Sequence, residues 1–169
     1  MKMRIAGIEP ESTVDGTGIR FVIFFQGCPH KCPECHNQET WDDNGGMGID
    51  VFDFNVMLEE EIKRNPMLNG ITLSGGEPFI QSEAATAIAQ KVKQHELTVW
   101  TYTGFTYESL IKNEQHRKLL LFTDVLVDGP YMKDLKDESL RFRGSSNQRI
   151  LKIVGGVKVA DISRVFQKL

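Results

Sequence analysis

Ile19-Arg20-Phe21-Val22-Ile23-Phe24-Phe25-Gln26-Gly27-Cys28-Pro29-His30-Lys31-Cys32-Pro33-Glu34-Cys35-His36 changes character once, at Gly27. Before it, Ile19 to Gln26 is a run of β-branched and aromatic residues, the pattern of a buried strand. After it, Pro29 and Pro33 forbid a regular helix, so the chain must wrap as a loop. That loop holds all three cysteines of the chain, Cys28, Cys32 and Cys35, in a C-x3-C-x2-C spacing. Chemistry-bearing residues at the carboxyl end of a buried strand are a mark of parallel α/β architectures.

Working outward, strand-like and helix-like segments take turns. Phe52 to Arg64 has helical spacing and stops near Asn65-Pro66. Gly70 to Ser74 is a short strand broken by Gly75-Gly76, and Ser82 to Gln94 is an Ala-rich helix with Ser82 as its cap. Leu97 to Thr103 reads as a strand, Tyr107 to Leu121 as a helix and Asp124 to Asp128 as a strand closing on Gly129-Pro130. Arg149 to Val154 is the last expected strand, followed by a short C-terminal helix from about Ala160. The alternation predicts an α/β domain with a mostly parallel sheet. Five or six strands in 169 residues are too few for a full eightfold barrel of typically ~250 residues. A partial (β/α) barrel, one domain over residues 1–169, is the expectation.

Distinctive residues fall at the expected strand ends: the cysteines after the first, Gly75-Gly76-Glu77-Pro78 after the second, Thr103-Gly104 after the third and Asp128-Gly129-Pro130 after the fourth. Trp100-Thr101-Tyr102-Thr103 puts Thr101 and Thr103 on one strand face and the aromatics on the other, with the aromatics expected in the core and the threonines solvated. Asp15-Gly16-Thr17-Gly18 precedes a strand rather than opening a helix, so it fails the context of a phosphate loop.

Composition narrows the classes. A net charge of −3, with 40% hydrophobic and 25% charged residues, is that of an ordinary globular protein and argues against a dedicated nucleic-acid binder. No segment approaches the ~20 apolar residues of a membrane span. Met1 to Pro10 carries charge early, without the apolar stretch of a signal peptide. The expected location is the cytoplasm, where thiols stay reduced and clustered cysteines read as a metal site before disulfides.

Three closely spaced thiolates suit three corners of an iron–sulfur cluster. The chain has no fourth cysteine, so one iron of a [4Fe–4S] cluster would remain open to a small molecule. The spacing also admits a Cys3His zinc site with His30 or His36 as fourth ligand. Paired glycines permit close backbone approach and positive φ, and a neighbouring carboxylate such as Glu77 accepts charge-assisted hydrogen bonds.

The cysteine spacing followed by Gly-Gly-Glu-Pro resembles the radical S-adenosylmethionine superfamily. Val14-Asp15-Gly16-Thr17-Gly18-Ile19-Arg20, Phe25 to Cys28, Leu126 to Pro130 and Arg143 to Arg149 are similar to the family of activating proteins for anaerobic ribonucleoside-triphosphate reductase. The resemblance, from about Gly7 to Arg149, implies an oxidoreductase of partial-barrel fold. A cluster on Cys28, Cys32 and Cys35 would cleave S-adenosylmethionine to methionine and a 5′-deoxyadenosyl radical. That radical would install a glycyl radical on the large reductase subunit, with a flavodoxin-like electron donor.

The resemblance places no catalytic side chain beyond these ligands. It assigns Gly75, Gly76 and Glu77 to the methionine amino group. Glu34 stands where the superfamily usually has an aromatic residue near the adenine. This leaves backbone groups of Glu34, Cys35 and His36, or the His36 ring, to cover it. Thr101 and Asp128 are further cofactor candidates, and Arg141, Arg143 and Arg149 are candidates for a carboxylate or an acidic partner surface. Two rivals remain: an enzyme of the same superfamily acting on a purine-like small molecule, and a non-catalytic zinc module.

Overall fold

In the computed structural model, which describes residues 1–167, the chain builds one eight-stranded mixed sheet. Its strands are β1 (Lys2–Ser12), β2 (Arg20–Phe25), β3 (Met47–Asp50), β4 (Gly70–Gly75), β5 (Thr98–Tyr102), β6 (Val125–Asp128), β7 (Arg149–Val154) and β8 (Val157–Asp161). They lie in the order β3-β1-β2-β4-β5-β6-β7-β8. The helices are α1 (Val51–Arg64), α2 (Ser82–Lys93), α3 (Tyr107–Leu110) and α4 (Glu114–Leu121). No helix among the described residues is long and apolar enough to cross a membrane.

The sheet corrects the expectation of mostly parallel pairing. Only the centre is parallel, where β2 meets β4, β4 meets β5 and β5 meets β6. Both flanks are antiparallel: β1 with β2 and β3, and β7 with β6 and β8. The parallel strands are those separated by helical crossovers, whereas β7 and β8 are joined by a two-residue hairpin turn. Gly155 and Gly156, at φ +57° and +81°, supply the two positive dihedrals that a type I′ turn requires. The expected C-terminal helix is therefore strand β8 followed by a 3₁₀ turn, Ser163–Phe166.

Strand alternation sorts the core into two layers. Phe21, Ile23, Phe25, Ile71, Leu73, Val99 and Leu126 pack with Phe54 and Leu58 of α1, Ala85, Ile88 and Val92 of α2, and Leu119 and Leu120 of α4. The opposite sheet face buries Trp100, Val127, Ile150 and Phe166, with Tyr102 and Phe142 packed against them. β2, β4 and β5 are buried on both faces, as strands at the centre of a layered α/β fold must be. The parallel carboxyl ends of β2, β4, β5 and β6 therefore emerge side by side, and the unassigned chemistry gathers there.

Candidate metal centre

β2 runs out at Phe25, and Gln26 anchors the loop that follows. Gln26 is buried, and its side-chain amide donates to the carbonyls of Glu39 (3.0 Å) and Asp42 (2.7 Å). Gly27 then turns the chain at φ +95° and donates to the Thr40 carbonyl at 2.7 Å. Positive φ at Lys31 (46°) and Glu34 (60°) reverses the backbone twice more, so the loop folds back on itself. Cys28, Cys32 and Cys35 are all half-buried and line a single cavity of ≈ 140 Å³. Burial pushes the Cys28 and Cys32 thiols above their ordinary pKa. A metal that binds thiolates must supply the charge to reverse that.

Gly75 and Gly76 line the same cavity, and the structure gives an immediate reason for them. A Cβ on Gly75 would lie 2.4 Å from the Phe25 nitrogen, and one on Gly76 would lie 2.2 Å from the Gly27 carbonyl. The pair lets the end of β4 press against the backbone leading into the cysteine loop. Gly76 N donates to Phe25 O at 2.9 Å and Glu77 N to Gly27 O at 2.8 Å.

Glu77 is fully buried. Its carboxylate accepts from Phe79 N (3.1 Å), Thr103 Oγ1 (2.9 Å), Gly104 N (2.9 Å) and His30 Nε2 (2.6 Å). A carboxylate offers about four acceptor positions, and four donors occupy them. The side chain assigned by resemblance to an ammonium group is turned inward and filled.

The remaining candidates divide. Thr101 leaves the site: it is fully buried on the helical side, with its hydroxyl 3.0 Å from Thr123 Oγ1. Strand parity sends its side chain away from the cavity that Tyr102 lines. Nor are the threonines solvated, since Thr103 is buried against Glu77. Asp128, 1% exposed, is spent on Tyr107 N (2.7 Å) and on Arg149 Nε (2.9 Å). Glu34 is exposed and pairs with Lys133 at 3.4 Å. His36 is exposed and leans edge-on against Tyr131, ring centroids 5.8 Å apart.

Of the three arginines, Arg149 bridges Asp128 and Glu108, Arg143 donates to Gln148 O and Arg141 stacks over Phe142. None lines the cavity. Tyr131, Tyr102, Gln148 and Asn37 do, and none of these was marked in the sequence. The signal for Tyr131 was its place directly after Gly129-Pro130. Tyr131 also borders a neighbouring cleft of ≈ 390 Å³ with Pro33 and Met132.

The donor set suits a cluster. Among the described residues no three His, Cys, Asp or Glu side chains converge closely enough to hold a single metal ion. Neither His30, bonded through Nε2 to Glu77, nor His36, leaning on Tyr131, is drawn together with the thiols into a Cys3His set among the described residues. Three soft thiols around one cavity fit a cluster that takes three protein thiolates. The family described as 4Fe-4S single cluster domain matches residues 14–151.

Proteins named anaerobic ribonucleoside-triphosphate reductase-activating protein match as well. The relative from Haemophilus influenzae is 36% identical over 149 residues, covering 83% of this chain and 92% of its own. Those from Escherichia coli K12 (35%, covering 82% and 92%) and Enterobacteria phage T4 (33%, covering 89% and 94%) follow. The chain belongs to this family. Within it the cysteine loop, the Gly75-Gly76 turn and the Gly129 segment all lie inside the matched region. Among solved structures, QueE from Escherichia coli superposes with a TM-score of 0.46 at 19% identity, covering 63% of this chain and 54% of that one. That overlap is too loose to carry an argument.

Proposed function

We propose that this chain activates an anaerobic ribonucleoside-triphosphate reductase as a radical S-adenosylmethionine oxidoreductase. It would act as a single domain in the cytoplasm, its sheet forming a partial (β/α) barrel of that superfamily's type. The reading rests on one observation: Cys28, Cys32 and Cys35 line a common strand-end cavity with Gly75 and Gly76, and His30, which lines it too, is hydrogen-bonded to Glu77. When bound there, a reduced [4Fe–4S] cluster supplies the electron that splits S-adenosylmethionine to methionine and a 5′-deoxyadenosyl radical, the species that takes a Cα hydrogen from a glycine of the large reductase subunit.

The chain's own residues hold, orient and exclude. The three cysteines hold the cluster. Backbone groups of Gly75 and Gly76 face the cavity where the cofactor's methionine end would lie, and Tyr131 offers an aromatic edge for its adenine. Tyr102 and Gln148 close the cavity wall and limit water. The chemistry requires a one-electron donor, such as a flavodoxin.

Anaerobic reconstitution of the full chain should give about four iron and about four sulfide per chain. With dithionite, S-adenosylmethionine and the large reductase subunit, a glycyl radical doublet should appear in electron paramagnetic resonance. Deoxyadenosine production without that doublet would move the substrate to a small molecule. Stoichiometric zinc without iron would end the enzyme reading.

A further inference from the structure

Glu77 carries a buried carboxylate with no lysine or arginine partner among the described residues. Such a group is costly unless its hydrogen bonds are complete. Three of its four donors come from fixed backbone and strand-end positions: Phe79 N, Thr103 Oγ1 and Gly104 N. The fourth, His30, comes from the middle of the cysteine loop, two residues from both Cys28 and Cys32. Facing a carboxylate that accepts, Nε2 donates, and this fixes the ring's tautomer.

The ring is also seated sterically. It packs edge-on against Phe105, centroids 4.5 Å apart. A Cβ on Gly104 would lie 2.5 Å from its Cδ2, so only a glycine leaves the slot open. Elsewhere the loop from Pro29 to Glu34 has few anchors, chiefly the Tyr131 backbone on the Cys32 thiol. Glu34 makes a surface ion pair with Lys133, the kind of contact worth little.

We infer that His30 and Glu77 form a latch that sets the cysteine loop against the ends of β4 and β5. His30 and Glu77 are positioning residues: they act through the placement of Cys28 and Cys32. The inference rests on the reading of the cysteines as cluster ligands, but the latch itself belongs to the metal-free chain. It can be tested there.

The test measures iodoacetamide alkylation of each cysteine in the full-length apoprotein, by mass spectrometry. Losing a charge-assisted hydrogen bond should raise the alkylation rates of Cys28 and Cys32 about tenfold in His30→Ala. His30→Gln, which can still reach Glu77 with an amide donor, should stay within about twofold of the parent. Gly104→Ala leaves both partners in place but fills the slot, so it should match His30→Ala. Glu77→Gln should raise the same rates, and the double variant with His30→Ala should be no faster than His30→Ala alone, since both remove one interaction.

In reconstituted protein, His30→Ala should keep its iron but show a broadened signal for the reduced cluster, which His30→Gln sharpens again. Parental alkylation rates in both His30→Ala and Gly104→Ala would overturn the latch. So would a Glu77→Gln variant whose thiols stay as protected as the parent's. If the parent takes up no iron, the cluster reading fails while the alkylation series still decides the latch.

Discussion

The two ends of the parallel strands are built on opposite principles. At the amino ends lies Arg20, 1% exposed beneath Trp100. Its guanidinium donates to Thr98 Oγ1 (2.7 Å), Thr98 O (3.0 Å), Ile71 O (2.5 Å) and Thr72 Oγ1 (3.2 Å). No carboxylate pairs with it among the described residues, and burial pushes its pKa down to about 10. Gly70 beside it has no room for a Cβ, which would meet Thr98 O at 2.0 Å. At the carboxyl ends the chain leaves regular structure, turns through positive φ at Gly27, Lys31 and Glu34, and keeps three thiols half-buried. One end spends its polar groups on holding strands together, and the other holds its reactive groups in reserve. Stability and chemistry are therefore separable along the same four strands.

That separation can be broken by experiment. Cys32→Ala should abolish cluster retention and deoxyadenosine formation, yet shift apoprotein stability in urea by no more than about 0.5 kcal/mol, because the side chain is half-exposed. A large loss of apoprotein stability would show the mouth to be structural after all. Arg20→Ala should do the reverse. It removes a buried donor set and leaves a cavity, at about 3 kcal/mol of unfolding free energy, while iron per folded chain stays at the parental level. Iron loss in that variant would couple floor to mouth.

Gly75→Ala probes the junction. Its φ of +95° and its contact with Phe25 predict a cost of about 1–3 kcal/mol together with weakened cluster uptake, both visible in one preparation.

The smallest effect lies at the side of the sheet, where Arg149 and Lys158 hold the Glu108 carboxyl down at about 2. The folded pKa is below the ordinary 4.5, so the stabilisation is present above about pH 4.5 and is lost as pH falls through about 2. Glu108 is 53% exposed and solvent-screened, so Glu108→Gln should cost less than about 1 kcal/mol at neutral pH. The gap from the parent should close in acid urea melts.

The same contrast explains what could be read from the sequence. β2, β4, β5, β6 and β7 were legible because each is an apolar run that ends at a glycine, a turn or a charged break. β1 was not: in Lys2–Ser12 only Met3, Ile5 and Ser12 are buried, and the exposed remainder is rich in charge. β8 takes the place of the expected helix from about Ala160, because Gly155-Gly156 between two valines turns the chain back as a hairpin. The expected helix Tyr107–Leu121 breaks because Asn113 caps a fresh start, accepting from Gln115 N and His116 N. Local spacing exposed the cysteines and the paired glycines. It could not expose the Glu77–His30 contact, which joins residues 47 positions apart, nor that the strand face carrying Thr101 meets Thr123 rather than solvent.

Because β3 and β8 stand at opposite ends of the strand order and do not pair, the sheet is a ribbon and not a ring. A closed ring has its diameter fixed by strand number and stagger, whereas a ribbon changes curvature through small adjustments of twist between neighbours. A change of twist of that kind requires no inter-strand hydrogen bond to break. The ≈ 140 Å³ of the free chain is therefore a resting volume, not a ceiling on what the mouth admits.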